Sequence, residues 1–289
     1  MDQPVIVGVD GSDPSLRALD WAADEAALHG LPLSAVHSPA WGAYEGYGPS
    51  LGISRSARRI HADNVIGTAV ERVSRRSTAV KAYGELVYED PATVLTRMSR
   101  EASMVVLGSR GAGGLAGLLL GSVGLEVAAR AHSPVVVVRG EDKNLHRGYR
   151  RIVVGVDEAG EPSPVAEFAF HEAELHGADL DMVHAWRCPA REVPDHPDHL
   201  TDIERHRALA EQTLTKALPP AAGSSSAVNV RQRAVEGHAR RVLLDTASTA
   251  DLLVVGVRRR KSHASMQLGP VDHAVLHHAP CPVAVVPHA

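Results

Sequence analysis

The chain has 289 residues, about twice the commonest domain size, so two domains of similar size are the default expectation. Hydrophobic residues make up 44% and charged residues 22%, which excludes an intrinsically disordered chain; with only 3% aromatic residues the cores must be built from Val, Leu, Ile and Ala. A formal net charge of −4 excludes a global field for gathering nucleic acid or an anionic membrane, so any anion site has to be local.

Val5–Asp10 is a short, continuously apolar, β-branched run, the pattern of a strand covered on both faces. Ser12, Asp13 and Pro14 then supply a cap and a helix-start proline. Leu16, Leu19, Ala23 and Ala26 share one face, and Gly30 is the stop. Leu33–His37 predicts a second strand, followed by a Gly/Pro-rich loop from Ser38 to Gly52 and a long helix within Arg55–Ser77. Ala79–Val87 is the third strand, Pro91–Ala102 a helix, Met104–Gly108 the fourth strand, Ser122–Ala131 a helix, and Val135–Val138 closes the unit. The polar stretch from Glu141 to Asn144, ending near Arg150, reads as a linker between a first domain at 1–142 and a second at 149–289.

The halves repeat one another. Val5-Ile6-Val7-Gly8-Val9-Asp10 returns as Ile152-Val153-Val154-Gly155-Val156-Asp157, and Leu28 through His37 returns as Leu175 through His184, at an offset of 147 residues. Val94-Leu95, Gly108, Gly121 and Ser133-Pro134-Val135 correspond to Val242-Leu243, Gly256, Gly269 and Cys281-Pro282-Val283 at an offset of 148, so one residue is inserted between His184 and Val242. A repeat of this length decides the architecture before any motif is read. Five strands joined by right-handed helical crossovers form an open, doubly wound α/β sheet, and ligands bind such sheets where the strand order reverses. With the order 3-2-1-4-5 the reversal lies between strands one and four, and the segments Asp10-Gly11-Ser12 and Gly108-Ser109-Arg110-Gly111 share one crevice.

Between the fourth strand and the next helix, Gly108 to Gly124 reads GSRGAGGLAGLLLGSVG. Glycines there let backbone N–H groups approach an oxyanion without a Cβ in the way. Ser122 opens the helix, whose first-turn amides and dipole favour an anion. Glycine enrichment could instead mark a flexible loop. Asp10 reads on chemistry alone as either a ligand contact or a turn-forming, helix-capping carboxylate, and Arg110 as either a phosphate partner or a solvated loop residue.

The spacing Gly108-x2-Gly111-x9-Gly121-Ser122 resembles the nucleotide-binding motif G-2x-G-9x-G-(S/T) of the ATP-binding universal stress proteins. The likeness extends over nearly the whole chain: the opening V-G-V-D-G-S, the V-H that ends strand two, and H-S-P-V-V-V-V ending at Val138. Tandem copies are common in that family. The resemblance implies two tandem Rossmann-like open parallel five-stranded sheets with helices on both faces. It places Gly8, Val9 and Asp10 against the adenosine, Ser38 along the base pocket, and Gly108, Gly111, Gly121, Ser122 and Val123 around ribose and phosphates, with Arg110 adding charge. ATP, with or without Mg2+, is the implied ligand.

The second copy departs from this pattern. Arg259 stands where Gly111 stands, and Pro270 replaces Ser122, removing a hydroxyl and a backbone donor together. Gly155, Asp157, Gly256 and Gly269 remain, so weak nucleotide binding or none is expected there. The run Arg258-Arg259-Arg260-Lys261 reads as a solvated basic loop or as charge compensating for the lost cradle.

Among 17 histidines, His273 and His277 are one helical turn apart without a third metal ligand at the expected spacing. Surface or interface roles are expected for them, and equally for the pairs His196/His199 and His37/His184. No Gly-x-Ser-x-Gly and no Walker spacing occurs, so no catalytic group is assigned and any ATP hydrolysis is expected to be slow. Three classes stay open: a nucleotide-dependent stress regulator acting on a protein partner, which is favoured; an ATP-using enzyme; and a scaffold. Cys188 and Cys281, far apart in sequence, point to a reducing compartment. With no signal-peptide pattern and no apolar run near ~18 residues, a cytoplasmic location is expected. Val135–Val138 and Val283–Val286 are apolar edge strands, and the resemblance implies homodimer contacts through them.

Overall fold

In the computed structural model the run after Pro4 forms strand β1 (Val5–Gly8), with Val5 and Val7 fully buried. Residues 3–39, 55–111, 120–157, 163–188, 199–223, 227–258 and 268–288 are described. The chain divides into two units, Met1–Arg139 and Gly140–Ala289.

In the first unit β1 is followed by α1 (Asp13–His29), β2 (Leu33–His37), α2 (Arg55–Arg76), β3 (Ala82–Leu86), α3 (Pro91–Met98), β4 (Met104–Gly108), α4 (Ser122–Arg130) and β5 (Val135–Val138). The strands lie in the order β3-β2-β1-β4-β5, and the pairings within this sheet are parallel. Helix α1 packs with α2, and α3 with α4. The reversal of order therefore falls between β1 and β4, as the repeat and crossover rule require.

Local chemistry accounts for the boundaries of α1. Ser12 is extended at the N-cap and its Oγ accepts from Ser15 N (3.4 Å), Pro14 sits in the first turn, and Gly30 ends the helix at φ 65°. The apolar face is wider than the sequence periodicity suggests: Ala18, Trp21 and Ala22 are buried with Leu19, Ala23 and Ala26, while Leu16 is only partly covered. Helix α2 is polar and is tied to α1 by two forked pairs, Arg72 on Asp20 (2.6 and 2.7 Å) and Arg76 on Asp24 (2.6 and 2.8 Å). Helix α3 is shorter than Pro91–Ala102, because the Ser99 hydroxyl takes the Thr96 carbonyl (2.7 Å) and accepts from His132 N (2.9 Å). Strand β3 is shorter than Ala79–Val87, since its register partner β2 ends at His37.

The second unit contains α5 (Asp142–Leu145), β6 (Arg151–Gly155), α6 (Pro164–His176), β7 (Asp179–Trp186), α7 (His199–Lys216), β8 (Val230–Glu236), α8 (Ala239–Ala247), β9 (Leu252–Arg258), α9 (Pro270–His278) and β10 (Val283–His288). Its sheet runs β8-β7-β6-β9-β10 in parallel, the same topology. The stretch read as a linker packs onto this unit. Asn144 is 3% exposed and donates to Ala250 O (2.7 Å), and the Asp251 carboxylate accepts from Tyr149 N (3.0 Å) and Arg151 N (3.1 Å). No helix among the described residues is long and apolar enough to cross a membrane.

Candidate functional site

The crevice of the first unit is built by the turn after β1. Asp10 Oδ1 accepts from Ser12 N (3.0 Å) and Ser12 Oγ (2.6 Å), and Asp10 N donates to Ser15 Oγ (3.3 Å). Gly11, at φ 81°, supplies the left-handed residue this turn needs. Asp10 is thus the turn former, with its carboxylate held at the crevice mouth.

The other oxygen faces the glycine loop. A Cβ built on Gly111 would lie 2.5 Å from Asp10 Oδ2, and one built on Gly121 would lie 3.9 Å from Arg110 Cα and 4.0 Å from Gly111 N. Gly121 N donates to Ser109 O (2.9 Å), so the two ends of the loop are pinned together at the mouth of the crevice. The loop tip, 112–119, lies outside the described residues. Asp10, Arg110, Gly111 and Gly121, far apart in sequence, are thereby neighbours. Helix α4 starts at this point. Its N-cap Gly121 has no side-chain cap, while Ser122 is exposed and Val123 half-buried at the first turn. Amides at such a helix start are not used by the helix itself and attract an anion.

Other candidate residues also have roles in the packing and hydrogen bonding of the fold. A Cβ on Gly108 would sit 2.6 Å from Pro14 O and 2.9 Å from Ser15 N, so this glycine lets the start of α1 press on β4. Gly8 is constrained by Leu107 Cδ2 at 2.6 Å. Val9 N donates to Val36 O (2.9 Å) and its carbonyl accepts from His37 Nδ1 (2.7 Å), leaving the backbone of Val9 engaged within the sheet end. Ser38 Oγ donates to Glu89 O, which ties the exit of β2 to the turn before α3.

The expectation of a surface or interface role for His37 and His184 is overturned. Both are 6% exposed, and each bonds through Nδ1 to the residue after its unit's first strand, His184 to Val156 O at 2.8 Å. A carbonyl only accepts, so Nδ1 carries the proton. Burial holds the His37 imidazole below its ordinary pKa and His61 adds repulsion, while the Val9 carbonyl and Asp10 pull the other way. His273 and His277 stack face to face at 4.3 Å between ring centroids. Of the pair His196/His199, His196 lies outside the described residues, as does the side chain of His199.

In the second unit Gly155 and Gly256 keep their packing roles: a Cβ would meet Leu243 at 3.2 Å and Val165 Cγ2 at 2.7 Å respectively. Asp157 is exposed, with Arg258 Nη2 3.5 Å from its Oδ2. Arg259 to Lys261 lie outside the described residues. Pro270 is the first residue of α9, where a missing N–H costs the helix nothing. At the third position, Asp272 turns back so that Oδ2 accepts from Gly269 N (3.1 Å). Burial pushes this carboxyl up to about 6, with Asp157 adding repulsion and the Gly269 amide opposing. Its sequence signal is a carboxylate three residues after the N-cap Gly269, the capping-box spacing.

A sequence model described as the Universal stress protein family matches residues 1–139 and again 148–287. A universal stress protein of Mycobacterium tuberculosis is 35% identical over 97% of this chain and 96% of its own length. One of Mycolicibacterium smegmatis is 32% identical over 98% and 96%. The crystal structure of a universal stress protein from Archaeoglobus fulgidus superposes with a TM-score of 0.71 at 19% identity, covering all of both chains, which speaks to the fold. With the doubled sheet, the paired crevices and the repeated motif in agreement, the chain belongs to the universal stress protein family and carries two copies of its domain.

Proposed function

We propose that the first unit binds an adenine nucleotide, ATP with or without Mg2+, in the crevice beyond β1 and β4, and that the protein is a nucleotide-dependent regulator of a stress response with little or no turnover. The reading is carried by one observation: a Cβ on Gly111 would stand 2.5 Å from Asp10 Oδ2, beside the uncapped start of α4. Bare backbone at Gly111 keeps room for a polyphosphate beside the first turn of α4, whose amides the helix does not use, and Asp10 stands beside that room to meet a ribose hydroxyl or an adenine amine. The glycine spacing of the ATP-binding subclass supports the same choice of ligand.

Binding and orientation are what these groups supply, which favours a regulator whose conformation or protein partner depends on the bound nucleotide. Homodimerisation is proposed as well, to be checked by light scattering, and the cytoplasm as the location. Isothermal calorimetry with ATP on the intact chain tests the ligand. Gly111→Ala should weaken binding at least about tenfold, because the new methyl displaces the Asp10 carboxylate, and Ser122→Ala should weaken it by roughly the value of one hydrogen bond, a factor of about 3–10. Unchanged affinity in both variants would remove the first loop from the mechanism.

A further inference from the structure

Beside α8, the second unit's sheet carries a cleft of about 570 Å³, within the ~300–1,000 Å³ range of small-ligand sites. Arg151 at the start of β6 and Arg233 in β8 line it, facing Arg241 and Asp245 of α8. Strand β7 runs between β6 and β8 and places the buried Asp181 beneath the two arginines. Its Oδ2 accepts from Arg151 Nη2 and lies 3.5 Å from Arg233 Nη1, while its Oδ1 is buried with no donor among the described residues. Arg151 Nη1 donates to Thr249 Oγ1 (2.8 Å), and its Nε–H is buried with no acceptor among the described residues. Arg233 is 44% exposed and is held by that loose pair. Two guanidiniums thus share one oxygen of one carboxylate, which leaves a positive charge in excess on the cleft floor. On the wall, Arg241 and Asp245 offset each other at 3.6 Å, and Glu236 takes the alternate register of β8 from Arg233.

The first unit builds the same fold without this cluster. Its corresponding positions are Pro4, Ser34 and Glu85, where Ser34 Oγ donates to Glu85 Oε1 (2.7 Å) and no arginine stands. We propose that the cleft beside α8 is a second ligand site, specific to the second unit, that takes a small phosphate monoester through the guanidiniums of Arg233 and Arg151. The site goes beyond the nucleotide reading of the first unit and does not depend on it. Guanidinium donors outnumber the acceptors that the chain offers them here, and their planar forks match phosphoryl oxygens. Asp181 and Thr249 hold Arg151 in place before a ligand arrives, so little ordering is required on binding. One arginine offsets the charge of Asp181, and the other attracts the anion.

The experiment uses the full-length chain and inorganic phosphate as the first probe. In nitrogen NMR of the arginine side chains at constant ionic strength, phosphate should shift the Arg233 and Arg151 Nε–H resonances saturably, and chloride should not. Arg233→Gln should weaken the response read at Arg151 by at least about tenfold. Arg231→Gln removes an equal charge from the same strand, but one paired with Asp179 (2.8 Å), and should leave affinity within about twofold. Circular dichroism checks that both variants fold, and where one does not, the wild-type titration decides. A phosphate response no larger than that to chloride, or an equal loss in the two variants, overturns the proposal. Glycerol 3-phosphate should bind at least as tightly as inorganic phosphate. A phosphoserine peptide bound more than about tenfold tighter than glycerol 3-phosphate, or succinate matching phosphate, overturns the choice of ligand. These resonances lie in the second unit, so failure of nucleotide binding in the first unit leaves the result readable.

Discussion

His37 and Asp272 each place a titratable group where the fold restricts its charge, with opposite consequences for stability. His37 has its folded pKa below the ordinary 6.5, chiefly by burial. The stability of its neutral form is therefore fully present above that value and is lost as pH falls through the lowered folded pKa. Nitrogen NMR of the imidazole should show the neutral Nδ1–H form persisting below pH 6.5, and a ring that charges at or above the ordinary value would contradict the dominance of burial over the Val9 bond. Asp272 is raised from 3.8 to about 6, so its stability contribution is present below the unfolded value and lost as pH rises through 6. Asp272→Asn should accordingly stabilise the protein by about 1–3 kcal/mol at pH 7.5, and the gain should vanish near pH 4. Denaturant titrations at the two pH values measure this, and an equal effect at both would place the perturbation elsewhere.

Among the elements, α5 depends on residues distant in the chain. Its sequence, DKNL, has no amphipathic period, and four residues cannot form a stable helix alone. It is held because Asn144 reaches the Ala250 carbonyl before β9 and because Asp251 takes the amides of Tyr149 and Arg151. Asn144→Ala should cost about 1–3 kcal/mol, since it leaves a buried carbonyl unpaired. Urea unfolding followed by probes in the second unit reads this cost, and a change within the scatter of a surface substitution would show that the bond contributes little. By contrast, α1 and α6 announce themselves through Ser caps, prolines at their starts and glycines at their ends. The second copy's helix has 13 residues against 17, sharing the glycine stop and differing at the start.

For the whole molecule, the fold of each unit is a property of one repeat, and the stretch between the repeats packs onto the second unit. A fragment covering 140–289 carries α5 and its bond to Ala250, whereas one covering 149–289, the boundary suggested by the polar stretch, lacks both. The longer fragment should unfold at the higher temperature by circular dichroism, and identical melting would mean that α5 is dispensable. The sequence by itself determined the doubled α/β architecture, the strand order and the membership of the family, because β-branched runs, caps and glycine stops act over a few residues and recur at a fixed offset. It also located the crevice, since topology alone sends Asp10 and the glycine loop to the same end of the sheet. Only the tertiary structure separated Gly108, which yields to the backbone of α1, from Gly111, which yields to Asp10. It also turned His37 inward onto Val9, folded the supposed linker onto Ala250, and laid Asp272 over the start of α9. Each of these depends on hydrogen bonds of 2.7 to 3.1 Å or on clearances too small for a Cβ between residues distant in the chain, and no local propensity encodes such encounters.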